Sequence, residues 1–108
     1  MPDAFMNDPL GWAGNQSAHA LVIGGGLWAL LVWAGLPLAW AYGAVAAAYA
    51  VWEIVTFRGD VLDAVTDFAF VAAGCAFVWS AWAMKRDAML LTFCGLMVAG
   101  MIGVGMRV

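Results

Sequence analysis

One histidine and a handful of carboxylates hold most of the chemistry available to this sequence: His19, Glu53, Asp60, Asp63 and Asp67, with Arg58 among them. Asp67 is the most informative. It sits well inside an apolar stretch, where an ionised carboxylate costs several kcal/mol unless it is paired or watered. Intramembrane ionisable residues are functional candidates for that reason. Three chemistries compete for the set. The group can form a hydrogen-bond network that locks helices together, with His19 and Arg58 as partners. His19, Glu53, Asp63 and Asp67 are also a suitable N/O ligand set for a divalent cation. Finally, they can do acid–base work on a polar lipid or lipid-linked headgroup at the membrane interface.

The elements that must position these residues are membrane helices. Of 108 residues, 67% are apolar and 10% are charged, and the mean hydropathy is +0.95. A soluble domain needs about a quarter of its residues charged, so lipid is the solvent expected here. Crossing a hydrocarbon core takes about 20 helical residues. The apolar run from Ala18 to Phe57 is about twice that, and Pro37, preceded by Gly35, divides it. Proline suits a first helical turn and disrupts an interior. Arg58-Gly59-Asp60 and Lys85-Arg86-Asp87 punctuate the rest. The expectation is an all-α, up-and-down bundle of four transmembrane helices with short loops, near 18–36, 37–57, 60–84 and 88–106, preceded by a polar segment over 1–17. That segment carries Asp3 and Asp8 and no basic run, so it does not read as a signal peptide.

In such a bundle His19, Glu53, Asp60, Asp63 and Asp67 converge at one membrane face, where Asn15, Gln16, Thr56 and Arg58 join them. At about 100° per residue, Asp60, Asp63, Asp67 and Gly74 fall within roughly 60° of one another on helix 3. On helix 2, Tyr42, Ala46, Tyr49 and Glu53 share a face, so two phenols would line a groove leading to the carboxylate. Trp12 and Trp52 fall at one membrane surface; Trp33, Trp40, Trp79 and Trp82 fall towards the other, as an aromatic belt does. Only Trp28 is placed mid-membrane. Small residues should carry the helix contacts, because lipid removes most of the hydrophobic drive between helices; Gly26, Gly74, Gly100 and Gly103 are the candidates.

The order of these residues carries a family resemblance. AHALVIGGG opens the first helix on a histidine, and WEIVTFRGDVLDAVTDFAFVAAG supplies Glu, Arg, Asp and Gly in sequence. This layout resembles the VanZ-like superfamily of small membrane proteins over positions 18–75. The resemblance places the family's Glu, Arg, Asp and Gly on Glu53, Arg58, Asp63 and Gly74. Thr56 stands where the family has glutamine, and Asp67 where it has asparagine. It implies a polytopic protein of the cell envelope, in a bacterial or phage-encoded inner membrane.

A second class stays open: a structural or accessory membrane subunit, or a phage holin-like protein, in which the polar cluster only locks helices. A holin is expected to carry a charged C-terminal tail, and Arg107-Val108 supplies almost none. The expected partners are the bilayer and a lipid or lipid-linked headgroup, with a homo-oligomer or larger membrane complex also open. No basic run exists to hold nucleic acid. Cys75 and Cys94 lie in apolar stretches without CxxC spacing and read as small buried hydrophobes. Positive charge divides evenly between the two faces. If Arg58 is already paired among carboxylates, the Lys85-Arg86 loop is the cytoplasmic one and the polar cluster lies outside.

Overall fold

A computed structural model describes residues 5–108. Among them are four helices long and apolar enough to cross a membrane: α1 (Pro9–Trp33), α2 (Leu38–Val55), α3 (Val61–Trp82) and α4 (Arg86–Met106). No described residue is in a strand.

The first helix begins at Pro9 and not at 18, so much of the expected polar segment 1–17 belongs to the first span; residues 1–4 lie outside the described residues. The local reason is a cap. The Asp8 carboxylate accepts from the Gly11 amide at 2.9 Å, and Pro9 takes the first helical position, where its missing N–H costs nothing. Between His19 and Gly26 the helix widens into a π-helical stretch. Such stretches are rare and often mark functional positions; the sequence reading held no expectation of it.

The connections have specific chemistry. After α1, Leu36 N–H donates to the Leu31 carbonyl and Gly35 N–H to that of Val32, each at 3.0 Å. That pairing satisfies the last carbonyls of the helix and requires a left-handed residue, which Gly35 supplies with φ +112°. Pro37 then precedes α2 in an extended conformation. The same closure follows α3, where Lys85 N–H reaches the Ser80 carbonyl at 2.8 Å, but here Met84 takes the left-handed position with φ 56°. At the start of α3, Asp60 accepts from the Asp63 amide at 3.0 Å, a cap that ends the Arg58-Gly59 turn.

Helices α1 and α3 form the centre, and α2 and α4 flank them without touching each other. The central crossing is close because glycine permits it. A Cβ on Gly74 would collide with the Ala20 backbone, and one on Gly24 with the Val71 carbonyl. Backbones at such range gain dispersion contacts that lipid tails cannot match. On one side Trp28, Ala41, Val45, Tyr49, Val71 and Cys75 form a buried cluster joining α1, α2 and α3. On the other, Trp12, Ala20 and Phe70 are buried, with Leu96 and Val104 of α4 against them.

Of the glycines expected at helix contacts, Gly103 meets the Trp12 indole, whereas nothing lies within 4 Å of a Cβ on Gly100. Gly26 has its close neighbour, the Leu21 carbonyl, within its own widened helix. One tryptophan also differs from the belt expectation: Trp12 is buried as a wedge against α4. Trp28, placed outside the belt, is fully buried with its indole N–H donating to the Leu38 carbonyl at 3.1 Å. Trp33, Trp40, Trp52 and Trp82 are exposed. Cys75 is buried, but Cys94 is exposed on α4.

Candidate functional site

Asp67 is the buried carboxylate of the described residues, at 8% exposure inside α3. A buried carboxylate needs hydrogen-bond donors, and its first donor comes from α1: Gln16 Nε2 donates to Asp67 Oδ1 at 2.7 Å. Gln16 is itself 2% exposed. Because the carboxylate accepts, the amide nitrogen must face it, which turns Gln16 Oε1 away. That oxygen is buried and has no hydrogen-bond partner.

His19 stands one turn further along α1, with Nε2 3.9 Å from Asp67 Oδ2. Its Nδ1 lies 2.7 Å from the Asn15 carbonyl. A carbonyl can only accept, so Nδ1 carries the proton, and in the neutral ring Nε2 is an acceptor. Nε2 stands across from Oδ2 at a gap too long for a hydrogen bond, and the two form an ion pair only where the ring is protonated. The imidazole also packs edge-on against Tyr49 of α2, with ring centroids 5.7 Å apart. The Tyr49 phenol is within hydrogen-bonding reach of the Glu53 carboxylate one turn on, and Asp67 and Asp63 are close enough to act on it electrostatically.

The expected cluster thus divides. His19, Asp67 and Glu53 meet around Tyr49, with Asp63 nearby. Asp60 is a helix cap, its carboxylate committed to the backbone. Arg58 is exposed and makes no ion pair among the described residues, so it does not neutralise the carboxylates. Among the described residues no three His, Cys, Asp or Glu side chains are grouped to hold a metal ion, so the ligand set His19, Glu53, Asp63 and Asp67 is not assembled. Both phenols belong to the face of α2 packed on the central cluster: Tyr49 faces His19, and Tyr42, two turns earlier, packs on Trp79.

Gln16, expected only at the same membrane face as the cluster, is the residue that donates directly to Asp67. Its signal was positional: an amide three residues before His19 shares the histidine's helix face, but only if the helix already extends back past Ala18. Asp63 and Arg107 flank a separate cleft of about 500 Å³ near Trp12 and Phe70. There the Arg107 guanidinium lies 4.4 Å over the Trp12 ring and donates to the Gly103 carbonyl at 2.9 Å. The chain matches no known protein family, no characterised protein and no solved structure.

Proposed function

We propose that this chain is a VanZ-like multi-pass protein of the cell envelope whose Gln16–His19–Asp67 site takes the polar headgroup of a lipid or lipid-linked molecule. Its helices would alternate in direction across a bacterial or phage-encoded inner membrane, with the Lys85-Arg86 connection cytoplasmic and the site towards the outer face. One observation carries the headgroup reading. Gln16 Oε1 is buried within a membrane-spanning helix without a donor, in the same side chain whose amide nitrogen holds Asp67, and His19 Nε2 stands 3.9 Å from the other Asp67 oxygen. Unmet acceptors away from water are costly, and a headgroup bearing N–H or O–H groups removes that cost. His19 Nε2, with its tautomer fixed by Asn15, is also placed to accept a proton from such a group. The headgroup reading is favoured over a divalent cation because the carboxylates do not gather into a ligand set.

The accessory-subunit reading has one specific support, the Gln16–Asp67 hydrogen bond that ties α1 to α3. Native mass spectrometry of protein released from nanodiscs containing a polar lipid extract separates the two readings. Wild type is expected to retain lipid that His19→Leu loses, with the two proteins equally helical and equally resistant to unfolding. Identical retained lipid in both would refute the headgroup reading.

A further inference from the structure

The other end of the helices, where the Lys85-Arg86 connection lies, holds a cavity of its own. It encloses about 410 Å³, bounded by the start of α2, the last turns of α3 and the residue that precedes α4. Tyr42, Trp79, Ser80 and Lys85 line it, with Ala76 and Ala83 between them. Trp79 is a fixed wall, packed on Trp28 at 6.3 Å and on Tyr42 at 5.9 Å between ring centroids. Lys85 stands just outside α4, and Tyr42 lies four residues into α2, about 6 Å at 1.5 Å per residue. The cavity therefore runs from the helix ends inward by roughly one turn.

The tryptophans fix the depth of this end in the bilayer. Trp33 at the close of α1, Trp40 at the start of α2 and Trp82 at the close of α3 are all exposed. Exposed tryptophan settles at the headgroup level, so the mouth of the cavity lies at the depth of the lipid phosphates. The polar lining suits a phosphate. The Ser80 hydroxyl is already committed to the Ala76 carbonyl at 2.6 Å. The Tyr42 hydroxyl and the Lys85 ammonium have no hydrogen-bond or ionic partner among the described residues. Asp87 falls in the first turn of α4 and does not line the cavity, and no other carboxylate does. A phenol and an ammonium that both lack an acceptor are complementary to an anionic oxygen.

We propose that this cavity is a phospholipid site, in which the Lys85 ammonium and the Tyr42 hydroxyl hold the phosphate of an anionic phospholipid. It shares no residue with the site around Asp67 and does not depend on the headgroup reading. Lys85 and Arg86 outweigh Asp87, so the connection carries net positive charge. A lipid whose phosphate charge is uncompensated is then preferred over one that carries its own ammonium.

The test is native mass spectrometry of the detergent-purified full chain titrated with dioleoyl-phosphatidylglycerol and dioleoyl-phosphatidylcholine. The glycerol lipid is expected to bind about fivefold tighter, the effect of one basic residue near the membrane surface. Lys85→Gln should bring the ratio close to one. Tyr42→Phe keeps the ring on Trp79 and removes the hydroxyl, so it should weaken both lipids about threefold and preserve the ratio. Arg86→Gln, whose side chain does not line the cavity, should keep most of the preference, and Arg58→Gln at the other face should keep all of it. Millimolar inorganic phosphate should leave the lipid bound. Equal binding of the two lipids by wild type would overturn the proposal. So would equal losses in Lys85→Gln and Arg86→Gln with Tyr42→Phe unchanged, the pattern of diffuse attraction to a basic loop. Displacement by inorganic phosphate would overturn the lipid as the occupant. None of these variants alters Gln16, His19 or Asp67, so failure here is distinct from failure of the headgroup reading.

Discussion

Replacing Asp67 with asparagine changes charge at nearly constant shape, and the surroundings of the side chain set the size of the response. The wild-type carboxylate accepts from Gln16 at 2.7 Å through one oxygen and faces the His19 acceptor at 3.9 Å with the other. In the variant the amide oxygen keeps the Gln16 bond, now between neutral partners. A bond to a charged group contributes about 1.5–3 kcal/mol and a neutral one about 0.5–1.5 kcal/mol, so roughly 1 kcal/mol is lost there. Against that, the new amide N–H can face His19 Nε2. The desolvation cost of a charge at 8% exposure also disappears. The terms nearly cancel, and the unfolding free energy in an SDS titration should change by less than about 1 kcal/mol. Binding of a donor-bearing headgroup should fall by about tenfold or more, since an acceptor has become a donor. A loss of several kcal/mol in stability with lipid binding unchanged would refute the reasoning. It would mean that the negative charge itself holds α1 to α3.

Gly74→Val should destabilise the bundle by about 3 kcal/mol, the upper part of the overpacking range, because its Cβ falls on the Ala20 backbone. Gly43→Ala on α2 meets nothing within 4 Å and should stabilise by about 0.5–1 kcal/mol through backbone entropy alone; the same SDS titration reads both. Trp12→Ala removes the edge-on contact with Phe70 at 5.8 Å and the ring beneath Arg107. It should cost about 2–3 kcal/mol, below or at the low end of the range for buried aromatics in water, because lipid can refill the gap; an unchanged titration midpoint would refute the wedge role. For orientation, single cysteines at Leu10 and Arg86 in a background lacking Cys75 and Cys94 can be labelled on intact cells with a membrane-impermeant maleimide. Labelling at position 10 and protection at 86 is expected, and the reverse pattern would invert the topology.

Much of the architecture was legible in the sequence because bilayer solvation acts on composition. Long apolar stretches divided by Pro37, Arg58-Gly59-Asp60 and Lys85-Arg86-Asp87 leave helices as the satisfactory way to pair the backbone, and the observed α2, α3 and α4 keep close to the expected bounds. The start of α1 was not legible, because Asp8 and Asn15 read as polar surroundings when one is a cap and the other part of the helix. Asp67 stood out from its type and depth alone, and a shared membrane face with His19 was expected from helices 1 and 3 entering together. What only the tertiary structure decided is which other side chains meet it. The pairing with Gln16, the rejection of Arg58 and Asp60, and the burial of Trp12 against Gly103 depend on how α1 is rotated and how closely it approaches α3. Rotation and approach are set by backbone contact at Gly24 and Gly74 and by the widened turns between His19 and Gly26. A sequence pattern gives the face of each helix, whereas the mating of two faces depends on contacts of a few tenths of an ångström summed over both.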